Sequence, residues 1–178
     1  MSKAIKFGLS TSEIQRAIDE VEKFKADFLK KVDTYRKRIA EEMAVYASAN
    51  FGSSVMDDVI NGSPRQPDVT VDWLDNGKIA VVVAKGEDAV WCEFGSGVYH
   101  NGSVGSSPNP YGNDLGFTIG SYGKGRGQQK VWGYYTDPDS KTGLVLTHGT
   151  PASMPMYNAA QEVLRKSVEI AREVFGHD

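Results

Sequence analysis

A single cysteine, Cys92, leaves the 178-residue chain without a partner for an internal disulfide, so nothing covalent staples the fold. Histidine is nearly as scarce. His100, His148 and His177 lie far apart, with no pair at ligand spacing and no second cysteine, so neither a metal nor a cofactor site is expected. No apolar run approaches the ~20 residues of a membrane span. Met1 to Gly8 holds no apolar stretch of signal-peptide length. The expectation is a protein made in a reducing cytoplasm, with no membrane among its partners. The last absence concerns backbone breakers: neither glycine nor proline occurs from Ser10 to Phe51.

What fills that stretch is a helical pattern. Ser10 with Glu13 and Ser12 with Gln15 form two overlapping capping boxes. Ile14, Ile18, Val21, Phe28, Val32, Tyr35, Ile39 and Tyr46 then recur at the period of one helix face, with Lys25 and Glu42 interrupting the stripe. A helix of about 40 residues would run roughly 60 Å. That is longer than a domain of this size is wide. The C-terminal half is therefore expected to pack on the domain and the N-terminal half to meet a neighbour.

Gly52-Ser53-Ser54 ends the pattern, and 55–60 is expected to make one helical turn before a loop over 61–67. Val69, Val71 and Trp73 alternate with polar residues, Asp75-Asn76-Gly77 supplies a turn, and 78–84 returns as an apolar strand expected inside a sheet. Val90 to Phe94 reads as a further strand, released by Gly95 and Gly97. From Gly97 to about residue 130 glycine, serine, asparagine and proline dominate. Only Leu115 to Ile119 suggests a strand there, and a loop of such length tends to be functional or disordered. Deleting 97–127 is expected to leave the rest folded. Strands over 131–135 and 144–147 follow. Ser153 and Pro155 then open a helix whose apolar face is Met156, Ala159, Ala160, Val163, Leu164, Val168 and Ala171. With 40% hydrophobic and 24% charged residues the chain suits one α+β domain over 1–178. Its expected plan is a long N-terminal helix, a mainly antiparallel sheet of four to five strands, and a C-terminal helix packed on the sheet.

Chemistry is harder to find. A cysteine hydrolase would pair Cys92 with His148 or His100. Cys92, however, sits between Trp91 and Glu93 in an apolar run, whereas a reactive thiolate needs positive surroundings. Gly123-Lys124-Gly125-Arg126-Gly127 lacks the strand before it and the helix after it that a phosphate loop requires. Lys124, Arg126 and Lys130 could still touch a nucleic-acid backbone. Glu93 is either buried and paired with a cation from a neighbour or, as the alternation favours, placed on the solvent face or a face covered only on assembly.

Glu93-Phe94-Gly95-Ser96-Gly97 and, much later, Thr147-His148-Gly149-Thr150-Pro151-Ala152-Ser153-Met154-Pro155-Met156 together resemble the head–tail joining, or tail-completion, proteins of long-tailed bacteriophages. Met156 stands where that family usually has an aromatic residue, and the 97–127 loop is long. The resemblance implies a structural virion protein of the neck or tail, acting as a ring of probable sixfold symmetry. Its partners would be other copies, the connector or head-closure proteins, the tail tube or tail terminator, and DNA passing through the ring. A tail terminator capping the tube is the neighbouring expectation. On this reading Glu93, Phe94, Gly95, Gly97, Lys124 and Arg126 belong to the assembly interface.

Overall fold

A computed structural model of the chain describes residue 8 and residues 10–54, 67–86, 88–95, 105–119, 132–137, 139–147 and 151–176, the side chains of Trp132, Tyr134 and Thr147 excepted. The first element, α1 (Thr11–Gly52), is a single 42-residue helix. Its start follows the first capping box. The Ser10 hydroxyl accepts from Glu13 N and donates to the Glu13 carboxylate at 2.6 Å. Ser12 lies inside the helix, and Gln15 reaches forward to Asp19 instead of back. Ser53 closes the far end, its N–H donating to Ala49 O.

The strands of β1 (Asp68–Leu74) and β2 (Ile79–Lys85) pair antiparallel, Asp68 opposite Lys85 through Leu74 opposite Ile79. Positive φ angles of 48° at Asp75 and 52° at Asn76 give the turn the hand that suits the strand twist. A helical segment, α2 (Ala89–Phe94), comes next. Strands β3 (Trp132–Asp137) and β4 (Thr142–Thr147) make a second hairpin, and α3 (Pro155–Phe175) ends the fold.

Three expectations are corrected. The described strands form two separate two-stranded ladders, not one sheet of four to five. Among the described residues the second strand, β2, is therefore an edge. Val90 to Phe94 is not a strand. Cys92 N donates to Asp88 O at 2.9 Å and Gly95 N to Trp91 O at 2.8 Å, helical bonds that turn Ala89, Cys92 and Glu93 inward together. Gly95, at φ 77°, stops the helix where a side chain would be strained. Leu115 to Ile119 is turn and coil. The 55–60 helical turn, with nearly all the loop after it, lies outside the described residues.

The long helix is the platform. Antiparallel to it runs α3: Asn50 donates to Pro155 O at one end, while Phe28 and Tyr35 pack on Phe175 at the other. Arg38 and Glu173 pair across the two helices at 2.7 Å. Ala47 and Ala159, each 0% exposed, let the backbones approach. On another side α1 touches β1 and β2. The C-terminal helix thus rests chiefly on α1 and α2, not on a sheet. Phe51, Ala89 and Cys92 form a small core, with Val69, Ala84 and Met156 packed against it.

Three regions leave apolar surface bare. Leu164 and Val168 of α3 are exposed, because the apolar arc of that helix is wider than the face α1 covers. The greater exposure is on α1. From Thr11 to Lys30 every residue except Ala17 is exposed, including Ile14, Ile18, Val21, Phe24, Phe28 and Leu29. Up to Phe28, which meets Phe175, that half projects past the end of α3, as its length demands. The β3–β4 hairpin also leaves Tyr135, Leu144 and Leu146 in solvent.

Candidate functional site

Glu93 is only 8% exposed and joins three segments of the chain. Its Oε2 accepts from Met156 N at 2.8 Å, and its Oε1 from Tyr157 N at 3.1 Å and Asn109 Nδ2 at 2.8 Å. The need for such an acceptor follows from the start of α3. The residue before Pro155 is Met154, in a left-handed conformation at φ 54° and with no side-chain cap. Pro155 has no N–H to satisfy. The next two donors, on Met156 and Tyr157, would otherwise be orphans. Glu93 takes both, and its charge suits the positive end of the helix.

Neighbouring bonds tighten the same joint. Cys92 O accepts from Ser153 N at 2.9 Å, Met154 N at 3.2 Å and Ser153 Oγ at 3.1 Å. Ser153 was expected to cap α3, but its hydroxyl is spent here and on Ser54 Oγ at 2.8 Å. Asn109, 2% exposed, uses its other side-chain atom, Oδ1, to accept from Tyr111 N at 3.0 Å. The Phe94 ring stacks on Phe117 with centroids 4.4 Å apart and planes 11° from parallel.

Residues 105–119 are consequently part of the fold. Gly105 N donates to Ile119 O and Ile119 N to Ser106 O, closing the segment on itself at 2.8 and 2.7 Å. Removing 97–127 would take Asn109 and Phe117 away from Glu93 and Phe94, so the deletion expected to leave the rest folded also removes part of this joint. The described part of the long loop holds Glu93 and Phe94 in place.

The electrostatics follow from burial. Burial pushes the Glu93 carboxyl above the usual range, while the bonds from Met156, Tyr157 and Asn109 pull it down by less. Burial likewise raises the Cys92 thiol, and Asp88 and Glu93 raise it further. A thiol held protonated in this way is a poor nucleophile. Cys92 in the folded chain should therefore react with a maleimide at least tenfold more slowly than after denaturation. Equal rates would mean the thiol is accessible.

Of the sequence-derived candidates, Glu93, Phe94 and Gly95 meet at this joint. Gly97, Lys124 and Arg126 lie outside the described residues, as do Lys130, His100, His148 and His177, so the proposed Cys92–His148 pair has only one member in view. Phe94 packs on the folded loop as an anchor. Glu93 uses both oxygens inside its own chain, accepting from one side-chain amide and two backbone N–H groups. Asn109 was missed in the sequence. Its signal was the Ser107-Pro108-Asn109-Pro110 run, where an asparagine held between prolines suits a turn that fixes its side chain. Among the described residues no group of histidine, cysteine and carboxylate side chains could hold a metal, and no helix is long and apolar enough to cross a membrane.

Comparison with known proteins returned no matching family model, no similar curated protein and no similar solved structure.

Proposed function

We propose that this chain is a structural protein of the head–tail junction of a long-tailed bacteriophage, acting in tail completion or in joining tail to capsid as an oligomeric ring. The observation that carries an assembly role is the projecting half of α1, whose apolar stripe the chain itself leaves uncovered. Large bare apolar surface of this kind marks a site of association. The narrower reading draws on the resemblance, and the fold supports it in one respect. Glu93 of the first segment that carries the resemblance accepts from Met156 N of the second.

On this reading the joint is a rigid corner from which α1, the β3–β4 hairpin and the long loop reach other copies and adjoining ring proteins. The chain works in the virion without catalysis or cofactor, and any DNA contact falls to Lys124, Arg126 and Lys130. Native mass spectrometry of the purified 19.4 kDa chain should show a closed multimer, six copies being the number the resemblance implies. Antibody against the chain should label the necks of virions of the phage that encodes it. A protein monomeric at every concentration and absent from purified virions would sink the proposal.

A further inference from the structure

The projecting half of α1 has a charge layout that its apolar stripe alone does not require. From Thr11 to Glu22 the carboxylates Glu13, Asp19, Glu20 and Glu22 face one cation, Arg16, a net of −3. From Lys23 to Lys31 the cations Lys23, Lys25, Lys30 and Lys31 face one carboxylate, Asp27, a net of +3. The helix is thus a dipole of side-chain charge, divided near its middle.

Such a segment is self-complementary in one orientation. Two copies laid parallel and in register bring acid beside acid and base beside base. Two copies laid antiparallel bring each acidic part beside the other's basic part, twice, and their helix dipoles also oppose. The apolar residues agree with that arrangement. With the two-fold axis at Val21, Ile14 of one copy falls opposite Phe28 of the second, Ile18 opposite Phe24, and Val21 opposite Val21. On the flank, Glu13 lies within one helical turn of Lys31 of the second copy, and this contact occurs twice. Residues 11–31 supply roughly three heptads of such contact.

We propose that the occupant of the bare α1 stripe is the same stripe of a second copy, in antiparallel pairing centred on Val21. The pairing rests on the reading of this surface as an assembly contact. It goes further in naming the partner, the orientation and the register. An isologous contact closes on two copies. The contact within a ring must then be a second, head-to-tail one, for which the β3–β4 hairpin and the Leu164–Val168 ridge of α3 remain bare, and the α1 pairing joins the subunits of two rings, giving an even number of copies.

Cysteine cross-linking of the full chain tests this, because native Cys92 is buried and does not interfere. Val21→Cys should oxidise to a covalent dimer. Ile14→Cys alone should not, since its two copies would stand about 20 Å apart along the axis. A mixture of Ile14→Cys and Phe28→Cys should cross-link. Glu13→Lys should weaken pairing roughly tenfold, because both symmetry-related contacts become repulsive. Adding Lys31→Glu to the same chain should restore it. Ile14→Cys linking to itself as readily as Val21→Cys would mean parallel pairing and overturn the proposal. A multimer with no Val21→Cys cross-link would overturn the pairing and leave the assembly reading standing. A chain that is monomeric throughout would overturn both.

Discussion

Glu93→Ala is expected to destabilise the fold by about 3 kcal/mol, because three donors lose a charged acceptor at once and each such loss in a buried place costs about 1–3 kcal/mol before water returns. For a chain of this length that corresponds to a melting temperature lower by roughly 6–12 °C. Glu93→Gln separates charge from geometry. A glutamine keeps the length of the side chain but turns one acceptor into an NH2, which must face Met156 N, Tyr157 N or Asn109 Nδ2, all donors. It should fall between wild type and alanine, not match wild type. The pH dependence carries a sign opposite to that of an ordinary surface ion pair. Burial raises the folded-state titration of Glu93. The unfolded chain then binds the proton less readily than the native state. The stabilisation from this group is full below the unfolded carboxyl value of about 4.3 and is lost as pH climbs through the raised folded value. The stability gap between wild type and Glu93→Ala should therefore widen on acidification from neutrality toward that value. A melting temperature for Glu93→Ala within about 2 °C of wild type would mean the joint does not depend on the carboxylate.

The same residue shows how far the sequence could be read. Long-period features survived: α1 was visible in its spacing, its cap and its freedom from breakers, and the β1–β2 hairpin in its alternation and its Asp-Asn-Gly turn. Its projecting half was legible from length alone. Short elements were not. Val90 to Phe94 is rich in residues that favour strands, yet it is helical, because a segment of six residues is decided by what it packs on. Ala89, Cys92 and Glu93 face Phe51 and the start of α3, a relation with no local signature. The sheet failed for a related reason. Two hairpins can each be read from turn chemistry, but whether they pair depends on surfaces that neither hairpin encodes. Glu93 stood out in the sequence, but its surroundings stayed open between burial against a cation and a solvent or assembly face. Alternation placed it on a wet or intersubunit face, whereas helical geometry turned it onto α3. Met154 explains why it is needed there. A left-handed residue without a capping side chain leaves the first donors of α3 to be satisfied by some distant group, and sequence spacing cannot say which.

Phe51→Ala should cost more than any surface change, about 3–5 kcal/mol. Phe51 is 5% exposed and lies in the last turn of α1, where it touches Ala89 and Cys92 of α2 with Val69, Ala84 and Met156 packed around them. One ring thereby joins the platform helix, the β1–β2 hairpin, α2 and the start of α3. A cavity there also loosens the backbone that presents Cys92 O to Ser153 and Glu93 to Met156, so the cluster cannot collapse without breaking those bonds. Phe24→Ala supplies the contrast, since it deletes the same atoms from a side chain 63% exposed on the projecting half. At concentrations too low for copies to associate, that change should leave the melting temperature within about 2 °C of wild type, surface substitutions being worth about 0.5 kcal/mol or less. At concentrations where copies associate, it should weaken association several-fold. Phe51→Ala should show the reverse order, with unfolding affected at every concentration. If both substitutions acted alike on the isolated chain, the division of α1 into a core-forming half and an association half would be wrong.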